Sequence, residues 1–338
     1  MKEAIMELEL KQSVREKAAK IPVRKVAGAG GTVFFKIFRL LFLAGISYLM
    51  LYPVLTMLSV ALSDPMTLMG DETVWIPRNA TFKNFTNVLD YFEYWDHAKI
   101  TIQKSVISTA ITLLVCPLVG YGLARHRFPG NGLIFGMVIL TIVVPIQVAQ
   151  VPMYLEYQSF DFFGIGTLIG TVTGKPLTVD LLDTNWIFYL PAMFGMGLYS
   201  GLYIFLFRQF FKGMPKDLED AGRVDGCSRL GIYAKIILPN VKPVFVTVLL
   251  LSMINYWNET LISNMLIVDA NKQPLMVYAE QISRILHSQS SSLGHINSLE
   301  SKAQSMAAVL MVSGPLMLLF LVCQKFFVES MDRSGIKG

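Results

Sequence analysis

The sequence has little charge for its length. Of its 338 residues, 16% are Asp, Glu, Lys or Arg, whereas 53% are hydrophobic. Soluble domains carry about 25% charged residues, so a chain this apolar is not exposed to water over its whole surface. Its net charge of +5 is too small to indicate a nucleic-acid partner. We therefore expect an integral membrane protein whose outer surface contacts lipid and which binds no nucleic acid.

Motifs for metal, nucleotide or covalent chemistry are also missing. The three cysteines, Cys116, Cys227 and Cys323, are too far apart for a metal-binding pattern and indicate no disulfide framework. The segment 170–176 approaches a phosphate loop, but it is one residue short between its glycines and has no Ser or Thr after Lys175. H-E-x-x-H, G-x-S-x-G and paired-carboxylate patterns are absent. These absences predict no catalytic residue, no metal site and no cofactor on this chain.

Long apolar segments, in contrast, are abundant. About 20 apolar residues cross a hydrocarbon core of about 30 Å, and such runs predict an all-α bundle of six membrane-spanning helices. They form a membrane domain, 37–324, between a basic extension, 1–36, and a tail, 325–338. The stretch Phe160–Thr184 is interpreted as an external loop, and five or seven spans remain as alternatives. The predicted spans are about 37–62, 105–124, 131–153, 186–207, 243–267 and 305–324.

The distribution of Lys and Arg predicts the orientation of these spans. With a cytoplasmic amino terminus, the cytoplasmic segments hold 21 of the 29 basic residues; they are 1–39, 125–130, 208–242 and 325–338. Basic residues accumulate on the cytoplasmic side of membrane proteins. Both termini are therefore predicted to be cytoplasmic, and the loops 64–104 and 269–304 to be external.

The cytoplasmic loop 208–242 contains the signals of two helices. Pro215 suits the first turn of a helix, and acidic residues at 217, 219 and 220 favour its amino-terminal end. Gly226 breaks this helix, and Ser228 is a candidate N-cap for the second. A link between antiparallel helices needs only a few residues. A loop of about 35 residues with two helices therefore indicates a docking surface for a partner protein.

The packing within this loop is predicted from residue spacing and size. The second helix is expected to bury one face at the i, i+3, i+4, i+7 spacing, formed by Leu230, Tyr233, Ala234 and Ile237. In the first helix, Ala221 and Gly222 are small. We expect them to let a partner approach the backbone closely.

The loop also carries a recognisable motif. A triplet of one acidic and two small residues is followed, after three intervening residues, by a glycine. After nine further residues comes I-x-L-P. The matching residues are Asp220, Ala221, Gly222, Gly226, Ile236, Leu238 and Pro239. This pattern resembles the EAA-x3-G-x9-I-x-LP signature of binding-protein-dependent ABC importer permeases of type I. Here Asp replaces Glu and Gly replaces the second Ala. The resemblance implies that this segment couples the membrane domain to an ATPase, through Leu218, Glu219, Asp220, Ala221, Gly222, Arg223, Val224, Asp225, Gly226, Ile236, Leu238 and Pro239.

Further stretches resemble carbohydrate permeases of the MalG-like kind. They are 207–218, the W-N-E element within 256–259, and the chain end 324–338. The resemblance implies import of a di- or oligosaccharide across a bacterial cell membrane. The implied partners are a second, MalF-like permease, an ABC ATPase dimer that holds ATP and Mg²⁺, and an extracellular or periplasmic sugar-binding protein.

A polar cluster in the fifth span is a second candidate site. Tyr256, Trp257, Asn258 and Glu259 either line a substrate path or gate, or lie at the outer interface with Trp257 as an anchor. The aromatic rings at 203, 256 and 257 are candidates for stacking on sugar. An ABC permease for another solute, such as an amino acid or peptide, is an alternative. An ion-coupled carrier is less favoured, because inverted repeats and several intramembrane ionisable residues are expected there, and a membrane enzyme is less favoured still.

Overall fold

Helices make up nearly all of the regular structure in the computed structural model, which describes residues 23–68, 75–77, 79–91, 93–162, 164–281, 284 and 295–335. Within these ranges the only β-type pairing is an isolated antiparallel bridge between Phe160 and Val179. The predicted all-α membrane fold is confirmed. Residues 1–22 of the predicted extension, 285–294 of the external loop and the last three residues lie outside the described ranges.

The α-helical segments whose bounds are fully described follow one another along the chain. They are α1 (Val23–Leu62), α2 (Lys83–Tyr91), α3 (Tyr94–Arg125), α4 (Asn131–Val143), α5 (Gln150–Gln158), α6 (Ile165–Thr173), α7 (Trp186–Met193), α8 (Ser200–Gly213), α9 (Asp217–Val224), α10 (Arg229–Gly231), α11 (Leu238–Asn240), α12 (Lys242–Trp257), α13 (Leu261–Leu266) and α14 (His295–Gly335). A π-helical segment, Ile232–Ile237, joins α10 to α11, and three short 3₁₀ turns lie at Pro65–Leu68, Ile146–Ala149 and Ala270–Lys272.

The chain divides into two units. The smaller comprises Met1–Ser59 and Glu72–Ile76, and its described side chains from residue 34 to 51 are all exposed. Within this unit Trp75 packs on Tyr52, with ring centroids 4.9 Å apart. The apolar exposed surface of this part of α1 is what a lipid-facing helix requires.

The larger unit, Val60–Asp71 and Pro77–Gly338, is built around α3. This helix packs against α7, α8 and α12. At Gly120 a Cβ atom would lie 2.9 Å from Cβ of Phe207 and 3.1 Å from the backbone nitrogen of Arg208. Only glycine allows α3 and α8 to approach this closely, as is common between helices in membranes.

Among the described residues, four helical stretches are long and apolar enough to span a membrane, and one of them comprises both α12 and α13. They are Phe34–Leu62, Tyr94–Arg125, Lys242–Leu266 and Leu299–Lys325. Asn131–Val143 and Ile146–Gln158 together form a candidate fifth span, although they are bent by 96°. Helices α1, α3 and α14 extend well beyond the predicted spans 37–62, 105–124 and 305–324, because an apolar run reveals only the apolar stretch of a helix and not its polar ends.

The predicted fourth span, 186–207, is not a continuous helix. Helix α7 ends at Met193 and α8 begins at Ser200. Between them Gly195 and Tyr199 adopt positive φ angles of 70° and 55°, which interrupt a right-handed helix. The stretch Phe160–Thr184, which was predicted as an external loop, in turn contains helix α6. The six-span count and the orientation stay predictions.

Candidate functional site

The loop between α8 and α12 folds as two helical segments with a sharp turn between them. Gly226 has a φ of +76°, a conformation that favours glycine. Ser228 follows it, and its Oγ accepts a hydrogen bond of 3.1 Å from the backbone N–H of Gly231. The predicted break and the predicted N-cap are therefore both present.

The buried face of the second segment differs from the predicted one. Ile232 and Ile237 are buried, whereas Leu230 is 70% exposed and Ala234 is exposed. The segment Ile232–Ile237 is π-helical, so its hydrogen bonds join residues five apart and positions 232 and 237 share a face. The α-helical spacing was therefore wrong for Leu230 and Ala234.

Gly222 faces this second segment and not a partner. It is buried, and a Cβ atom there would lie 2.6 Å from Cδ1 of Ile236 and 3.2 Å from Cγ1 of Ile232. The small residue therefore allows the two segments of the loop to pack on each other. The expectation that Gly222 leaves room for another protein is replaced by this internal contact.

We expect Gly222→Val to destabilise the loop by about 1–3 kcal/mol, as overpacking does. Gly222→Ala should be nearly neutral, because only the flexible end of Ile236 must move and alanine favours a helix by about 1 kcal/mol over glycine. Thermal unfolding of the purified protein measures both. Adding Ile236→Ala should relieve the valine variant, and an unchanged defect would show that the contact is not its cause.

The opposite side of α9 is exposed and carries an apolar edge. Leu218 is 37% exposed and Val224 is 88% exposed, and Ala221 lies between them and is also exposed. Asp220 and Arg223 flank this edge and form an exposed ion pair of 2.6 Å. An apolar strip with a charged rim is the usual composition of a docking surface.

Glu219 lies on the buried side of α9. Its Oε1 is 2.9 Å from Nε of Arg125, the last residue of α3, and its Oε2 is 3.6 Å from Nη2 of Arg223. Nη2 of Arg125 also donates a 2.7 Å hydrogen bond to the carbonyl of Met214, directly after α8. Glu219 was predicted from the sequence as a residue of the coupling site. Arg125 was used only as one of the basic residues that predict the orientation of the spans.

The I-x-L-P end of the motif joins the loop to the core. Ile236 and Leu238 pack against a cluster of buried residues that includes Tyr121 and Phe207. Pro239 is exposed at the start of α11. Tyr233 lies 5.1 Å from Tyr121 between ring centroids. Burial, with a smaller contribution from Tyr121, raises the pKa of Tyr233.

The second candidate site lies at the break between α12 and α13. Glu259 is buried there, and its carboxylate accepts hydrogen bonds from the N–H groups of Ile262 and Ser263 and from Oγ of Ser263. It therefore caps the first turn of α13. Asn258, beside it, is exposed.

Lys104 is a buried partner of Glu259 that the sequence did not reveal. Its side chain is 0% exposed, and its Nζ lies 3.9 Å from Oε2 of Glu259. It also donates to the Glu259 carbonyl at 3.2 Å and to Oγ of Ser263 at 3.4 Å, and it lies 5.0 Å from the ring centroid of Phe188. A buried charge without such partners is strongly unfavourable, so this cluster holds α3, α7 and the α12–α13 break together.

Both candidate sites lie in a region that matches a known protein family. The family model of the binding-protein-dependent transport system inner membrane component matches residues 117–333, which is more than half of the chain. The chain belongs to this family. The predicted permease identity and the predicted role as a non-enzymatic transport subunit are confirmed, and the protein is a membrane component.

Several curated relatives of this permease align over most of its length. The arabinooligosaccharides transport system permease protein AraQ of Bacillus subtilis (strain 168) is 28% identical over 315 residues, which cover 90% of this chain and 98% of that protein. The diacetylchitobiose uptake system permease protein DasC of Streptomyces coelicolor is 23% identical, with 86% and 92% covered. The melibiose/raffinose/stachyose import permease protein MelC of Bacillus subtilis is 26% identical, with 82% and 90% covered.

A solved structure has the same fold as the permease. It is a chain from the crystal structure of a bacterial ABC transporter involved in the import of the acidic polysaccharide alginate. The TM-score is 0.69 at 22% identity, over 88% of this chain and 98% of that one.

Three aromatic residues proposed to stack on sugar are packed inside the permease. Tyr203, Tyr256 and Trp257 are all buried. The Tyr203 hydroxyl accepts from Nδ2 of Asn255 at 2.9 Å, and Nε1 of Trp257 donates to the carbonyl of Val312 at 3.1 Å. In this conformation they join α8, α12 and α14, and their role toward substrate stays a prediction.

Proposed function

We propose that this permease forms half of the transmembrane path of an ATP-driven importer of oligosaccharides. The curated relatives named above are permeases for arabinooligosaccharides, diacetylchitobiose, and melibiose, raffinose and stachyose. They share oligosaccharide cargo although the sugars differ, which favours the same class of substrate here. A second, MalF-like permease subunit would form the other half of the path.

The exposed apolar edge of α9 carries the proposal of coupling. Leu218, Ala221 and Val224 recur every three residues on a helix whose other side is fixed to the core. An exposed apolar edge with a charged rim supports docking to another protein, and we propose that this protein is an ATPase. We propose that a pair of ATPase subunits binds ATP and Mg²⁺, closes, and moves α9 with it. Hydrolysis would then reset the permease.

The proposed docking of α9 on an ATPase also gives the orientation of the permease in the membrane. With α9 on the cytoplasmic side, the amino-terminal extension and the tail 325–338 are proposed to be cytoplasmic too, in a bacterial cell membrane. The loops 64–104 and 269–304 are then available to an extracellular or periplasmic sugar-binding protein. Among the four predicted path residues, Asn258 is the exposed one, and we propose that it meets substrate while Tyr256, Trp257 and Glu259 position the break around it.

Reconstitution of the complete transporter tests this proposal. The permease, its genomically neighbouring second permease, ATPase and binding protein are placed in liposomes, and uptake is measured for labelled arabino-oligosaccharides, diacetylchitobiose and raffinose. Uptake of at least one sugar should require ATP, the binding protein and a catalytically intact ATPase. An ATPase variant that binds but does not hydrolyse ATP is the matched control.

Two results would contradict the proposal in different ways. Uptake of amino acids or peptides, but of no sugar, would retain the ABC mechanism and reject the substrate class. Uptake by this chain alone, driven by a proton gradient, would reject the ABC mechanism in favour of an ion-coupled carrier.

A further inference from the structure

We propose that Arg125 and Glu219 form a mechanical joint through which movement of α9 reaches α3. Glu219 is on this view a positioning residue that holds the coupling helix, and not a contact of the ATPase. The inference rests on the proposed function, and it assigns to Glu219 and Arg125 a task within the ATP-driven cycle.

One guanidinium group connects three helices. Arg125 ends α3, pairs with Glu219 on α9, and donates to the carbonyl of Met214 after α8. A single side chain thus ties the ends of three helices. Helix α9 is only eight residues long, so a displacement of α9 pulls on this point directly.

Both members of this pair are buried. The side chains of Arg125 and Glu219 are 6% and 8% exposed, so neither is available to a protein that docks on the outer face of α9. Breaking a buried pair by removing one partner is strongly unfavourable, because it leaves an uncompensated charge. Removing either member of this pair should therefore cost more than removing a member of a surface ion pair, whose contribution is usually small.

A second buried pair lies on the same helix, α3. Lys104, 21 residues before Arg125, contacts Glu259 at the α12–α13 break. At 1.5 Å per residue the two pairs are about 32 Å apart along α3, close to the thickness of a hydrocarbon core. Helix α3 is continuous between them. It thus connects the coupling helix to the break that contains the proposed path residues.

The test measures how much sugar is transported for each ATP hydrolysed. In the reconstituted transporter, Glu219→Gln and Arg125→Gln should each lower this ratio by about 5- to 100-fold, the usual range of coupling between two sites. ATPase co-purification and ATP hydrolysis should stay within about twofold, because the exposed edge of α9 is intact. Asp217→Asn, which neutralises an exposed carboxylate of the same helix, should leave the ratio unchanged.

A double variant tests whether the two residues act as one unit. Arg125→Gln with Glu219→Gln should lose no more than the worse single variant, since interacting residues are not additive. Losses that multiply would show two separate roles and would overturn the joint. If a single Gln variant does not accumulate in the membrane, the milder Arg125→Lys and Glu219→Asp variants are measured in the same way.

The outcomes separate this inference from the proposed function. If the native complex transports no sugar with ATP, the proposed function fails. If the native complex transports sugar and Glu219→Gln has an unaltered ratio, the joint alone is rejected; where Glu219→Gln does not accumulate, an unaltered ratio in both milder variants rejects it. A merely structural role of Glu219 would lower the amount of complex without changing the sugar-to-ATP ratio.

Discussion

Ala221→Trp is expected to leave the permease in the membrane and to release its ATPase, with a loss of co-purification of at least about 30-fold. Hot-spot positions near the centre of an interface change binding by about 2 kcal/mol or more, and a tenfold change corresponds to about 1.4 kcal/mol. Ala221 is exposed between Leu218 and Val224, so an indole there blocks docking without disturbing the core. Affinity purification of the tagged permease, followed by quantification of bound ATPase, measures the effect.

The matched control for this substitution is Ala234→Trp. Ala234 is also an exposed alanine of the same loop, but it lies in the second, π-helical segment and not on α9. It should retain the ATPase. Release by Ala234→Trp together with retention by Ala221→Trp would place the docking surface on the second segment and would reject α9 as the coupling helix.

Lys104→Met is expected to destabilise the permease by about 3–5 kcal/mol, the effect of leaving a buried charge without its partner. The carboxylate of Glu259 would then lie in the interior with its cation removed. Thermal unfolding in detergent, and the amount of folded protein in the membrane, measure this effect. Lys99→Met removes a lysine that is 70% exposed on the same helix, and it should change stability by less than about 1 kcal/mol.

The double variant Lys104→Met with Glu259→Gln identifies the cause. It removes both charges, and the glutamine oxygen still accepts from the first turn of α13. We therefore expect most of the lost stability to return. A double variant as unstable as Lys104→Met would indicate that packing of the lysine stem, and not the charge, holds the cluster together.

Sequence reasoning located the fold class and the loop because both depend on local patterns. Apolar runs identify the apolar stretches of helices, and the spacing from Asp220 to Pro239 lies within one loop. The breaks near 144–149 and 194–199 were missed because an average over about 20 residues hides a few non-helical ones. The π-helical register was missed because a period of 3.6 was assumed.

The two buried ion pairs were invisible for a different reason. Lys104 and Glu259 are 155 positions apart, and a single sequence does not show which distant charges meet. Lys104 lies directly before the predicted span 105–124, where a lysine is ordinarily expected to reach the interface. Arg125 follows that span in the same way. Their partners emerge only when the helices are packed.

The pair of Arg125 and Glu219 also limits what can be exchanged between related transporters. A chimaera that receives the segment 215–240 from another permease inherits the first helix of the loop but not the residue at position 125. If the donor has no acid at the position of Glu219, Arg125 is left buried and unpaired. A transplanted loop should therefore function only when the end of α3 comes from the same donor. The residues that couple α9 to α3 thus lie in two separate parts of the sequence.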